Sequence, residues 1–295
     1  MMKVRFWGTR GSIATPGPKT IKYGGNTSCV EVRVGDQILV FDAGTGIREF
    51  SQSLLEEFAD RPITLSMFIS HTHWDHIQGF PFFMPAYQEQ TTINLYGPPG
   101  RNRPLDDLLR SQMDSDFFPV SLGDMTAKLT VHELRQKTRI GAVDVEPFFL
   151  NHPAMTLAYR VTDGKRSLVY ATDNEPYEFT LHKSSKRSDA LGNYGKKLDD
   201  DFVHFVAGAD LLIAEAQYTK EEYETKVGWG HSPLDTIIEW AMKAEVKQLA
   251  LFHHDPSHDD AAVDAMINQA RAMLKNGKAS INCFGAREGE EVLIR

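Results

Sequence analysis

Four side chains able to ligate a metal stand within six residues at His71-Thr72-His73-Trp74-Asp75-His76, directly after the apolar run Ile63 to Ile69. Imidazole and carboxylate are donors for borderline divalent metals, and their spacing decides where they point. With the chain still extended, His71 and His73 project to the same side. Asp75 and His76 follow after the chain has turned and can face a second position. A solvated polar turn has no need of three imidazoles and a carboxylate at this spacing. Further candidates stand near the ends of apolar runs: His152 in FFLNHPAM, Asp173 in LVYATDNE, His231 in GWGHSP and His253 in LALFHHDP. Residues at strand ends can converge on one rim of a sheet while the strands fix their positions.

The elements that must carry these residues are legible from periodicity. Lys3 to Trp7 reads as a strand, and Ser28 to Val34 with Gln37 to Phe41 reads as a hairpin through Gly35-Asp36. Ile47, Phe50, Leu54, Leu55 and Phe58 recur on one helical face, and Ile63 to Ile69 is a mostly buried strand. Strands follow at Ile93 to Tyr96, Leu129 to Val131, Val143 to Leu150, Leu157 to Val161 and Leu168 to Ala171, with a short helix around Leu105 to Met113. Later come strands at Leu211 to Ala214 and Gln248 to Phe252. One helix, capped by Ser232-Pro233, carries Leu234 and Ile238; a last helix is marked by Val263, Met266, Ile267, Ala270 and Leu274. Asn174 to Phe205, with Lys183, Lys186 and Arg187, reads as a polar, irregular segment. Two β-rich halves, each followed by helices, predict an α/β protein of two sheets packed face to face with helices outside.

The 295 residues show no fixed-period repeat and no Pro/Ser-rich linker, so the expectation is a single domain over 1–295. No run approaches the roughly 18 apolar residues of a membrane span, and the N-terminus lacks the continuous apolar stretch of a signal peptide, which makes the cytoplasm the default compartment. Cys29 and Cys283 are too few for a disulfide framework or a four-thiolate site, so any metal is held mainly by nitrogen and oxygen. A net charge of −8 argues against stable nucleic-acid binding through a diffuse positive field.

The HxHxDH cluster with later single His, Asp and His resembles the metallo-β-lactamase superfamily over nearly the whole chain. More narrowly it is similar to the phosphodiesterase branch that contains tRNase Z, the phosphonate-pathway cyclic phosphodiesterase and cyclic-nucleotide phosphodiesterases. The stretches FWGTRGSIATPGP, YGGNTSC, LVFDAGTG, AEAQY and GWGHS carry that narrower likeness. The resemblance implies an αββα sandwich of two mixed sheets with helices on the outer faces, and two divalent metal ions per chain. One metal falls to His71, His73 and His152, the other to Asp75, His76 and His253, with Asp173 bridging. His253 is the assignment in LALFHHDP and His254 the fallback. Asp42 matches a position that supports the cluster from behind. A homodimer is implied by the family alone.

Two divalent metals about 3.5 to 4 Å apart can share a water, lower its pKa toward ~7 and neutralise charge on a diester under in-line attack. Donor type favours zinc, and manganese or iron accept the same donors. Beyond the ligands, Asp75 among them as a catalytic residue, the leaving alkoxide needs a proton. His231 and Glu215 resemble the family's proton-donating pair, the acid orienting and charging the imidazole. Trp74, Phe80, Phe82, Phe83 and Met84 either wall a substrate pocket or fill the core. The expected activity is hydrolysis of small cyclic or short phosphodiesters, foremost cyclic nucleotides. The alternatives are tRNA 3-prime processing and hydrolysis of lactams or thioesters. The tRNA enzyme of the family inserts a long basic arm between the third histidine and the bridging aspartate. Here only 20 residues separate His152 from Asp173, and they read as a hairpin through Asp163-Gly164.

Overall fold

A computed structural model describes residues 1–184 and 189–295, with side chains described outside 182–190. The chain divides into two compact units, Met1–Gly141 with Arg287–Arg295, and Ala142–Ala286.

The first unit is built on β1 (Met2–Gly8), β2 (Cys29–Val34), β3 (Gln37–Phe41), β4 (Thr64–Phe68), β5 (Thr92–Gly97), β6 (Lys128–Glu133) and the C-terminal β14 (Glu291–Ile294). Their order is β14-β1-β2-β3-β4-β5-β6. The β14, β1, β2 and β3 pairings are antiparallel, as the Gly35-Asp36 hairpin requires, and Gly35 takes the left-handed φ of 57°. From β3 onward the strands run parallel. Parallel neighbours need a crossover, and α1 (Ile47–Phe58) supplies the one between β3 and β4. Ile47, Phe50 and Leu54 on its inner face are fully buried with Val40, Met67 and Leu95 of the sheet. Helices α2 (Trp74–Ile77) and α3 (Leu105–Gln112) complete this unit.

The second sheet has the order β13-β12-β11-β10-β9-β8-β7, with the short β7 (Thr138–Ile140) at its edge. β8 (Val143–Leu150), β9 (Thr156–Thr162) and β10 (Ser167–Ala171) are antiparallel, and β10 runs parallel to β11 (Leu211–Glu215), then β12 (Gln248–Phe252) and β13 (Asn282–Gly285). All five residues of β10 and of β11 are buried. The helices are α4 (Tyr177–Ser184), α5 (Asp189–Val206), α6 (Lys220–Tyr223), α7 (Leu234–Lys243) and α8 (Asp260–Asn276).

The structure departs from two expectations. The stretch 174–205 is not irregular, for it contains α4 and most of α5. The buried stripe of α5 runs Gly192, Gly195, Asp199, Phe202, Val203 and Val206, so its first members are glycines that carry no apolar signal. A Cβ on Gly195 would stand 2.9 Å from the backbone of Glu178, which is why the two helices approach there through a glycine. Lys186 and Arg187, and the side chain of Lys183, lie outside the described residues. The second correction concerns α7. Its N-cap is Pro233 with no side-chain cap bond, because the Ser232 hydroxyl donates instead to the Asn174 carbonyl at 2.6 Å.

Candidate metal centre

Candidate donors cluster where parallel strands end, the place where open α/β sheets leave room for ligands. In the first unit β3 ends into Asp42 and β4 into Ser70-His71. Asp42 turns the chain abruptly with a φ of 60°, a left-handed conformation uncommon outside glycine. Its carboxylate is completely buried and accepts from the Ser70 amide at 2.6 Å and the Ser70 hydroxyl at 2.8 Å. It also stands 2.7 Å from Nδ1 of His76. A proton on Nδ1 leaves Nε2 of His76 as the presented donor, 3.1 Å from Oδ2 of Asp75. The Ser70 hydroxyl lies 3.1 Å from Nδ1 of His71 as well.

His73 is the extended N-cap of α2, so the chain turns between the first histidine pair and Asp75-His76, where the spacing placed the turn. The candidate ligand atoms of His71 and His73 lie within 4.8 Å of one another, as do those of Asp75 and His76. Asp75 accepts a hydrogen bond from the Ser12 amide at 2.7 Å, and Ser12 has a φ of 63°. Gly44 lets this turn close: a Cβ there would stand 2.3 Å from the Asp75 carbonyl.

In the second unit Asp173 follows β10 at a φ of 50° and is almost fully buried. Its Oδ1 lies 3.2 Å from Nε2 of His253 and accepts from the Thr172 hydroxyl; its Oδ2 lies 3.7 Å from Nε2 of His152. One carboxylate therefore addresses two histidines with different oxygens. His253, at a φ of 55°, follows β12, and its Nδ1 meets the Gln217 side-chain oxygen at 2.9 Å. The Gln217 amide nitrogen donates to Asp255 at 3.2 Å, which fixes which end of the amide faces the imidazole. His254 turns elsewhere, its Nε2 lying 3.0 Å from the Ala286 carbonyl. Nδ1 of His152 lies 2.9 Å from the Gly230 carbonyl.

Nδ1 of His231 stands 3.7 Å from Oε1 of Glu215 and 4.0 Å from Oδ2 of Asp173, and its ring stacks on His253 with centroids 5.2 Å apart. Those distances are electrostatic contacts rather than hydrogen bonds. Glu215 is completely buried and accepts from the amides of Ser232 at 2.7 Å, Gln217 at 3.1 Å and Asn174 at 3.2 Å. Tyr218 lies edge-on to His231, and burial, then the nearby carboxylates Asp255 and Glu215, push its phenol well above the usual tyrosine range. It stays a neutral hydroxyl.

Glu175, Gln217, Ser70 and Ser12 are parts of this apparatus that the sequence reading passed over. Buried Glu175 accepts from the Tyr223 hydroxyl at 2.7 Å and from the amides of Gly228 and Gly230 at 2.6 and 2.8 Å. It thereby sets the turn that leads into His231. Its signal was its place two residues after Asp173, and Gln217 lies inside AEAQY. Of the aromatic candidates, Phe80 and Phe83 are fully buried core, whereas Trp74, Phe82 and Met84 are 80, 55 and 51% exposed. The donor chemistry, imidazole nitrogens oriented by partners on their other nitrogen together with carboxylates, fits divalent transition metals.

A family model described as the Beta-lactamase superfamily domain matches residues 37–254. The chain belongs to that superfamily, and it is a metal-dependent hydrolase of the metallo-β-lactamase fold. Ribonuclease Z of Pyrococcus furiosus is 25% identical over 293 residues, covering 90% of this chain and 91% of that protein. The crystal structure of unliganded yeast PDE1 matches with a TM-score of 0.69 at 14% identity, covering 99% of each chain. Human tRNase Z, short form, matches with a TM-score of 0.63 at 21% identity, again covering 99% of each.

Proposed function

We propose that the chain is a phosphodiesterase with two divalent metal ions, zinc foremost, acting on small cyclic or short phosphodiesters and above all on cyclic nucleotides. Following the family pattern, His71, His73 and His152 would hold one ion and Asp75, His76 and His253 the other, with Asp173 available to both. When bound, such a pair supplies Lewis acidity that activates water and offsets the charge of a diester. The chain's own residues do the remaining work. Asp42 and Gln217 keep His76 and His253 in the tautomer with Nε2 presented, and Ser12 holds Asp75. His231 is the proton donor to the leaving alkoxide, and Glu215, held by three backbone amides and 3.7 Å from Nδ1 of His231, is placed to orient that imidazole.

The observation that carries this reading is the position of His231 beside Glu215 and Asp173, an imidazole outside the proposed ligand set. A diester with a poor alkoxide leaving group has use for such a donor. A ribonuclease Z reading is favoured by the curated relatives. Against it, β9 and β10 are joined by a tight turn at Asp163 to Arg166, so 152–173 carries no arm for a folded RNA. Kinetics on 3′,5′-cyclic AMP and GMP, on a precursor tRNA and on nitrocefin test the reading. Turnover of the cyclic nucleotides supports it. Site-specific tRNA cleavage, or nitrocefin hydrolysis, without cyclic-nucleotide turnover refutes it.

The single 1–295 hydrolase domain, a cytoplasmic location and a homodimer belong to the same proposal. Among the described residues, no helix is long and apolar enough to cross a membrane.

A further inference from the structure

Beside the HTHWDH stretch the first unit contains a cavity of about 400 Å³. Thr72 and Trp74 line it, while the alternate residues His71, His73 and Asp75 carry the candidate metal donors. Its other walls include Phe82, Phe117, Phe118 and Arg103. Trp74 is 80% exposed and Phe117 81%, a concentration of open aromatic surface that a folded chain has no reason to keep for packing. Phe82 is held edge-on by Phe118, centroids 5.3 Å apart at 81°, and Phe118 packs against the core, so this wall is fixed before anything binds.

The polar groups are as telling as the rings. Gln112 lines the cavity, and its amide nitrogen is a buried donor with no hydrogen-bond partner among the described residues. Arg103 adds the donors of an exposed guanidinium, and the lining contains no carboxylate. Flat aromatic walls select a flat ring system. A Gln donor with an Arg fork matches a base edge made of two acceptors, which is the O6/N7 edge of guanine; adenine places a donor on the same edge.

We propose that this cavity is a guanine-preferring nucleobase pocket, which places the base of a nucleotide diester against Trp74 while its phosphate lies at the metal donors next to that residue. The proposal deepens the phosphodiesterase reading and rests on it. The experiment uses the p-nitrophenyl esters of GMP, AMP and TMP and methyl p-nitrophenyl phosphate on the metal-loaded protein, four diesters with the same leaving group. The guanosine ester should exceed the methyl ester in kcat/KM by about a hundredfold and the other nucleoside esters by about tenfold. In Phe117→Ala and Gln112→Leu the ratio of guanosine to methyl ester should fall about tenfold. Equal kcat/KM for all four esters, or variants that lower guanosine and methyl esters in equal proportion, overturns the pocket. If none of the four is hydrolysed, the phosphodiesterase reading fails by itself, and GMP titration followed by indole fluorescence then decides the pocket. Quenching by GMP that exceeds that by AMP and is lost in Trp74→Phe upholds it. No quenching overturns it.

Discussion

Nδ1 of His152 lies 2.9 Å from the carbonyl oxygen of Gly230, so the turn leading into His231 also fixes the tautomer of a candidate metal ligand nearly eighty positions upstream. The turn is made possible by a φ of 90° at Gly230, and a Cβ there would stand 2.2 Å from that same Nδ1. Gly230→Ala should therefore displace His152 and lower metal affinity roughly 10- to 100-fold, the usual cost of losing a ligand's supporting partner. Competitive chelator titration measures it, and wild-type affinity in this variant would contradict the account.

Gln217→Leu removes the acceptor from Nδ1 of His253 and leaves Asp255 without its amide partner. Its metal affinity should fall by a similar roughly 10- to 100-fold factor. Gln217→Glu, which keeps an oxygen facing the ring, should lose less, so the order of the two variants in the same titration is the check.

His231→Ala should keep both metals while its rate falls about 10² to 10⁴-fold on a cyclic nucleotide. The loss should be smaller on a p-nitrophenyl ester, whose leaving group needs little protonation. Loss of metal in this variant would make His231 a ligand instead of a proton donor.

A pH dependence of stability follows from Asp199 in α5. Its carboxylate accepts from the amides of Tyr177 and Glu178 at the start of α4, yet burial dominates and raises it to about 6. The folded chain thus binds more protons here than the unfolded chain between pH ~4 and ~6, so this group's contribution to stability declines as pH rises through that window. Urea midpoints across it should fall more steeply for the wild type than for Asp199→Asn. An identical slope in both proteins would show that Asp199 does not titrate in that range.

Most of both sheets was legible because their strands are continuous apolar runs or clean alternations bounded by turns. The donors were legible because His71, His152, Asp173 and His253 stand just after such runs, while His73, Asp75 and His76 follow His71 within one six-residue stretch as the chain turns into α2. What periodicity could not show was contact made without apolar side chains. The α4–α5 approach is carried by Gly195, which has no side chain to register. The partners that orient the donors, Glu175, Gln217, Ser70 and Ser12, are polar residues whose meaning depends on neighbours distant in sequence. The choice between His253 and His254 is of the same kind. Both follow the same strand, and only the left-handed turn at His253 sends one imidazole to Asp173 and the other to the Ala286 carbonyl.

The claim on which the rest depends is that these donors hold a pair of metal ions required for hydrolysis. Metal content by inductively coupled plasma mass spectrometry, read alongside bis(p-nitrophenyl) phosphate turnover for the wild type and His73→Ala, tests it most directly. The account predicts about two transition-metal ions per wild-type chain, with metal and activity lost together in the variant. A folded, active protein containing no metal would contradict it.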